Sequence, residues 1–201
     1  MKVSVILAHP DMDSLNHAIA KAAVGALKEN GHLVSFHDLY LEGFDPIIPK
    51  EEISRDDTMD AAVTAHCREI ANVDGIIIVH PNWWGQPPAM LKGWIDRVLR
   101  AGVAYEFLEG DSGEGVPRGL LKARKALVFN TGNTKPEREA RVFKDPLESI
   151  WRYCIFGLCG IDDFYRKTYS VVCTSTLEER ESWLRDVKSI VDKSFPRCDG
   201  T

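Results

Sequence analysis

Ile76-Ile77-Ile78-Val79 is an unbroken block of β-branched residues with no polar alternation, the pattern of a strand buried on both faces of a parallel sheet. His80 ends the block, a short loop with two adjacent tryptophans runs from Pro81 to Gln86, and a helix opens on Pro87-Pro88. Proline suits a first helical turn, where its missing N–H is not needed. A parallel strand needs a crossover and neighbouring strands, so this stretch alone points to an α/β sheet. Its loop then lies at the carboxyl edge of the strands, where open α/β sheets bind ligands. Two tryptophans at that edge suit a flat aromatic ligand.

The rest of the chain repeats the pattern. Lys2 to Ala8 reads as the first strand rather than a signal peptide, and it runs into His9-Pro10. Ser14 is a good N-cap for a helix ending near Asn30-Gly31. Leu33 to Tyr40 is the second strand, and 41–57, with two prolines and clustered charges, reads as a long surface loop. A helix over Thr58 to Ala71, a third strand from Val73 to His80 and a third helix over 87–100 follow. Five glycines between Gly102 and Gly119 argue against a stable element in 109–119.

Lys125 to Thr131 is a fourth apolar strand. Asp145-Pro146-Leu147-Glu148 supplies an N-cap carboxylate, a first-turn proline and a capping-box glutamate for a fourth helix reaching Leu158. Phe164 to Cys173 is the fifth strand, and Thr176-x-x-Glu179 opens a last helix to about 194 with Leu184, Val187 and Val191 on its core face. Five strands alternating with five helices predict an α/β fold: a flavodoxin-like, doubly wound, five-stranded parallel sheet of order 2-1-3-4-5. That order places the loops HPDMDSLN, PNWWGQ and NTGNT side by side.

At 201 residues the chain is expected to be one domain spanning 1–201. A net charge of −5 argues against nucleic acid as the main partner. No apolar run approaches the roughly 20 residues that span a bilayer, so a cytoplasmic location is the default expectation. The five cysteines show no C-x-x-C spacing and read as buried reduced thiols.

Neither a G-x-x-x-x-G-K-[ST] phosphate loop nor a G-x-G-x-x-G fingerprint is present. His9, Ser14 and Asn16 nevertheless surround the amino terminus of the first helix, a natural anion site that suits a phosphate or pyrophosphate; the plainer alternative is an N-cap and a loop histidine. His9, Asp11 and Asp13 match no defensible metal site. Trp83 and Trp84, flanked by Gly85, read as a ligand wall. Backbone N–H groups of Thr131, Gly132 and Asn133 can bond a heterocycle or simply form a turn.

His9 with Ser14-Leu15-Asn16, the segment Pro81-Asn82-Trp83-Trp84-Gly85, the run Pro88 to Val98, Gly102-Val103-Ala104-Tyr105 and Thr131-Gly132 together resemble the NAD(P)H:quinone oxidoreductase family of flavodoxin-like flavoproteins. This family includes ancillary proteins of bacterial potassium-efflux systems. The resemblance covers residue 3 to about 133, more weakly to 190. It implies that His9, Ser14, Leu15 and Asn16 contact a flavin's phosphate and ribityl chain, that Pro81, Asn82, Trp83, Trp84 and Gly85 line the isoalloxazine ring, and that Thr131, Gly132 and Asn133 bond its pyrimidine edge. Tyr105, extended by Phe107, falls where the family places an aromatic wall of the substrate pocket, often reaching into a partner subunit's site. Family members carry a Tyr and a His after the fourth strand. Here Lys135-Pro136-Glu137-Arg138-Glu139 has neither, so no catalytic side chain is named; Lys135 and Arg138 are read as solvated charges, with a place near a reduced flavin as the alternative.

The expectation is therefore an NAD(P)H-dependent flavin oxidoreductase passing two electrons to a quinone or similar acceptor, with FMN favoured over FAD. The alternative is a flavin-binding regulatory subunit docked on a membrane potassium-efflux system; a flavodoxin-type carrier is third. The apolar faces of the third and fourth helices (Leu91, Trp94, Val98; Leu147, Trp151, Cys154) suggest a homodimer.

Overall fold

The computed structural model describes residues 1–53, 59–108, 110 and 114–197. The elements begin β1 (Lys2–Leu7), α1 (Leu15–Glu29), β2 (Leu33–Asp38), α2 (Ala61–Ile70), β3 (Gly75–Pro81) and α3 (Ala89–Val98). Two short strands, β4 (Tyr105–Glu106) and β5 (Arg118–Gly119), form an antiparallel ribbon. There follow β6 (Lys125–Gly132), α4 (Pro136–Arg138), α5 (Pro146–Ser149) running on as a π-helix over Ile150–Gly157, β7 (Asp163–Ser170) and α6 (Leu177–Ser194).

The main sheet has the order β2-β1-β3-β6-β7 with every pairing parallel, which is the predicted 2-1-3-4-5 arrangement. Register places Ile78 of β3 between Ile6 of β1 and Val128 of β6. Side chains alternate across a strand, so the apolar blocks feed two cores. Val5, Leu7, Ile77, Val79, Leu127 and Phe129 pack under α1 and α6. Ile6, Ile76, Ile78 and Val128 pack under α2, α3 and the α5 segment with Trp94 and Trp151. Thr176 and Glu179 make both bonds of the expected capping box.

Several local expectations give way to longer-range partners. α2 begins at Ala61 with Asp60 as its N-cap, accepting the Val63 N–H at 3.0 Å; Thr58 lies outside the described residues. The stretch 41–57 is not simply a surface loop over its described part, because Phe44 and Glu52 are buried and Lys50–Glu52 forms a 3-10 turn. β5 is an element within 109–119. Asp145 does not cap α5: it sits at φ 47° with no capping bond, and its carboxylate and that of Glu148 turn instead to Arg166. β7 ends at Ser170 rather than Cys173. Cys67 and Cys159 are buried as expected, but Cys154 and Cys173 are exposed; Cys198 lies outside the described residues. The argument for a dimer from two helix faces also fails, since Leu91, Trp94, Val98, Leu147 and Trp151 are all buried within the chain.

At the open edge of the sheet, His37 of β2 lies between Glu42 (2.9 Å) and Glu69 of α2 (3.0 Å). Burial opposes the charged ring, but the Glu69 and Glu42 bonds outweigh it and raise the His37 pKa. Burial likewise opposes the Glu69 carboxylate, yet bonds from His37 and Ser4 hold it down to about 2. His66 completes a His37–Glu42–His66 group, but the Trp94 indole N–H donates to His66 Nδ1 at 3.2 Å, which leaves a neutral ring's proton on the nitrogen facing Glu42. The His37 contribution is present below the unfolded histidine value of about 6.5 and is lost as pH rises through the raised folded value. The melting-temperature advantage of the wild-type chain over His37→Asn should therefore shrink as pH is raised from 6 to 9, by roughly 2–4 °C in all; a gap independent of pH would refute the assignment.

Candidate functional site

The loops after β1, β3 and β6 meet at the carboxyl edge of the sheet. Ser14 caps α1, its Oγ accepting the His17 backbone N–H at 3.4 Å. The Leu15 and Asn16 N–H groups meet no acceptor among the described residues, and the first turn carries no acidic side chain. These are the conditions under which a helix terminus attracts an anion. His9 stands beside this terminus, its ring 6.2 Å from that of Trp83 and 6.4 Å from that of His17. Burial, with His17 close by, lowers the His9 pKa. The His9 Nδ1 accepts the Asp11 N–H at 3.1 Å and Asp11 accepts the Asp13 N–H at 3.0 Å, so these three residues build the turn itself.

Buried Asn16 ties the terminus to the sheet. Its side-chain amide donates to Thr131 Oγ1 at 2.9 Å, across 115 residues of sequence. The Thr131 carbonyl in turn accepts the Asn82 N–H at 2.7 Å, so all three loops are locked together. Asn82 also accepts the Gly85 N–H at 2.9 Å and donates to Glu139 at 3.2 Å.

Trp83 and Gln86 exchange two backbone hydrogen bonds, of 3.1 and 3.0 Å, around a two-residue turn. Its central residues have φ 57° at Trp84 and 73° at Gly85, the positive-φ pair of a type I′ turn. A Cβ on Gly85 would meet Pro146 Cγ at 2.7 Å, so only glycine fits. Trp84, a bulky residue in the left-handed region, is strained and fully exposed. Trp83 is 43% exposed. A strained backbone presenting an indole to solvent is a poor choice for folding alone.

Between this turn and the loop after β6 lies a cleft of about 490 Å³ lined by Asn82, Trp84, Gly85, Gly132, Asn133 and Phe143, among others. A polar recess of about 270 Å³ adjoins it and includes Arg166, Thr168 and Ser170; the buried Ser170 hydroxyl has no partner among the described residues. The predicted site residues thus divide. Asn82, Trp84, Gly85, Gly132 and Asn133 line the cleft. His9, Ser14, Leu15 and Trp83 are half-buried or exposed and are not among its lining residues, with His9 and Trp83 paired ring to ring. Asn16, Pro81 and Thr131 are buried and hold the loops in place. Tyr105 and Phe107, with rings 5.9 Å apart, are not among the cleft's lining residues; Tyr105 lines a separate cleft with Ile48, Arg97 and Arg100. Lys135 and Arg138 are exposed, and Arg138 lies over the Phe143 ring at 5.7 Å.

A buried polar cluster beneath the cleft has no local signature in the sequence. His80, fully buried, directs Nδ1–H to the Pro81 carbonyl at 2.8 Å, and its Nε2 accepts from Asn130 at 2.7 Å and Trp151 at 3.0 Å. Arg166 donates to Asn130 at 3.1 Å and to Glu148 at 3.0 Å and also pairs with Asp145. The one hint was a histidine ending an otherwise apolar strand.

An anion-ready helix terminus, a strained exposed indole and a glycine-lined cleft on one sheet edge fit a flat heterocycle carrying a phosphate. The Flavodoxin_2 family, described as flavodoxin-like fold, matches residues 1–183. The chain belongs to this family. It is 35% identical over 164 residues to a Haemophilus influenzae protein named as an uncharacterized NAD(P)H oxidoreductase, a match covering 79% of this chain and 78% of that one. It is 29% identical over 231 aligned positions to the ribosyldihydronicotinamide dehydrogenase [quinone] of Mus musculus, covering 98% and 95%. Among solved structures, Smu.1420 of Streptococcus mutans UA159 superposes with a TM-score of 0.82 at 26% identity, covering 96% of this chain and 100% of that one. The resemblance to NAD(P)H:quinone oxidoreductases read from the motifs of this Flavodoxin_2 chain agrees with these relatives. No helix among its described residues is long and apolar enough to cross a membrane.

Proposed function

We propose that the chain, as one flavin-binding domain, is an NAD(P)H-dependent flavin oxidoreductase that reduces a quinone or a similar planar acceptor by two electrons. The observation that carries this reading is the fastening of the α1 terminus, through Asn16 and Thr131, to Asn82 and the turn whose Trp84 walls the cleft. The relatives named as NAD(P)H oxidoreductase and quinone dehydrogenase support it. The chemistry a flavin supplies when bound is hydride transfer between a reduced nicotinamide and the acceptor. The chain's residues do the positioning. Leu15 and Asn16 N–H groups, with His9 and Ser14, would hold the phosphate, and one phosphate at a single helix terminus favours FMN over FAD. The Asn82–Gly85 turn would line the ring, and Gly132 and Asn133 would meet its polar edge, as the family resemblance implies.

Tyr105 and Phe107 stand apart from this cleft in one chain. In a homodimer they would wall the partner's acceptor pocket, as the family resemblance implies, and a monomeric sedimentation profile for the flavin-loaded protein would overturn that part of the reading. Steady-state NADPH oxidation by a quinone should give parallel double-reciprocal lines, since donor and acceptor occupy one place in turn. Intersecting lines would contradict the shared site, and no flavin-dependent oxidation would contradict the function. Trp84→Gly relieves the positive-φ strain and should leave stability unchanged or raise it by up to about 1 kcal/mol. It should also weaken the planar acceptor by roughly tenfold or more, an aromatic wall being worth about 1 kcal/mol beyond its area. Denaturant melts and acceptor KM check the two halves; a destabilised variant with unchanged KM would refute both.

A further inference from the structure

Ser14, His17 and Asp38 form a chain of side chains behind the α1 terminus. Ser14 Oγ lies 3.0 Å from His17 Nδ1, and His17 Nε2 lies 2.8 Å from Asp38 Oδ2. His17 and Asp38 are each only 5% exposed. Asp38 Oδ1 accepts the N–H groups of Tyr40 and Leu41, at 3.2 and 3.1 Å, so the carboxylate is oriented as an acceptor on both oxygens. His17 Nε2 must then carry a hydrogen toward it.

That assignment determines what Ser14 can show a ligand. In a neutral His17 ring Nδ1 is bare, and the Ser14 O–H donates inward to it; the hydroxyl's only hydrogen is spent and a lone pair faces the anion. With a proton on Nδ1 as well, the ring donates to Ser14 Oγ, and the O–H is free to turn toward the anion. The anion thereby gains a donor and a positive charge one bond behind it. Asp38 is already aligned to receive that imidazolium.

We propose that Ser14, His17 and Asp38 make the α1 anion site proton-linked: the flavin phosphate binds together with one proton, taken from solvent onto His17 Nδ1. This rests on the flavin reading above. By linkage, a ligand that favours the protonated ring is itself favoured by low pH. Among the described residues, the ionisable groups in contact with His17 are Asp38 from β2 and His9 from the preceding loop, with Asp11 beyond His9; Lys21, one turn further along α1, is exposed to solvent. His9 is a poor rival for the proton, since burial and the neighbouring His17 both disfavour its charged form.

The test is calorimetric titration of the flavin-free full chain with FMN, between pH 7 and 9, in buffers of different ionisation enthalpy. A parallel series uses FAD, and riboflavin serves as the phosphate-free probe. The proposal predicts a heat that varies with the buffer, approaching one proton taken up, and a Kd for FMN that weakens by up to about tenfold per pH unit. His17→Gln and Asp38→Asn should bind FMN more weakly and lose both signatures. His9→Gln should bind FMN more weakly, as a residue beside the phosphate, yet keep both signatures, and riboflavin should show neither. A phosphate's own second ionisation near 6 persists in every variant, so the difference between variants isolates His17. Buffer-independent FMN heat, or the same proton uptake in His17→Gln or with riboflavin, overturns the linkage while leaving the flavin reading intact. Failure of FMN, FAD and riboflavin all to bind overturns both.

Discussion

Arg97→Met should destabilise the chain by about 3–5 kcal/mol, the cost of stranding a charge inside a protein by removing its partner. The Arg97 and Glu52 side chains are only 2% and 3% exposed. The guanidinium grips Glu52 through Nε at 3.0 Å and a second nitrogen at 2.5 Å, and also donates to the Asp45 carbonyl at 2.6 Å and to Asp60 at 3.0 Å. One α3 residue thus holds the segment between β2 and α2 against the body of the fold. Gly93, one turn earlier, lets that segment approach: a Cβ there would meet the Pro46 carbonyl oxygen at 2.1 Å. Urea denaturation of Arg97→Met and of the double variant with Glu52→Gln reads the effect. The double variant should recover part of the loss, because the stranded charge is gone; equal loss in both would show that packing, not charge, is responsible.

His80→Phe should cost about 2–4 kcal/mol at neutral pH, because the buried Asn130 amide and Trp151 indole each lose an acceptor. The same histidine makes the fold acid-sensitive. Burial pushes its pKa down to about 4, so its neutral form is the stabilising one. That contribution is complete above the unfolded value of about 6.5 and is lost as pH falls toward 4, amounting to about 3 kcal/mol. The stability gap between wild type and His80→Phe should therefore narrow between pH 7 and 4.5. A constant gap would mean that the ring is not held neutral.

These two clusters show where sequence reading succeeds and where it stops. Ile76 to Val79 and Lys125 to Thr131 announced buried parallel strands because burial on both faces removes alternation, a property of the segment itself. Ser14 and the Thr176–Glu179 box were equally legible, since each cap is made by residues three apart. Asp145 and Glu148 carried the same local signal and failed it, because the topology brings Arg166 of β7 within reach, and a buried guanidinium outcompetes a helix terminus. Arg97 was visible only as a letter in a specific motif; its partner Glu52 lies 45 positions away in a stretch whose prolines and charges read as surface. The tryptophan pair was legible as an unusual loop at the strand's carboxyl end, but not as a type I′ turn. Asn-Gly or Asp-Gly announces that turn, while a tryptophan at positive φ contradicts ordinary preference. Asn16 was legible as polar at a helix start, yet the Thr131 contact that makes it a fastener of the site depends on the strand order. The apolar faces of α3 and the α5 segment suggested a second subunit because their cover, supplied by β6, β7 and the 41–53 segment, was hidden in the tertiary structure.

The central claim is that the three loops hold a redox-active flavin. The most direct test is the visible spectrum of the purified chain, reconstituted with FMN or FAD where needed, under anaerobic addition of NADPH and then of a quinone. The account predicts a yellow protein that bleaches with NADPH and regains its colour with the quinone, with loss of retained flavin in Gly85→Val. A chain that stays colourless after reconstitution with both flavins would contradict it.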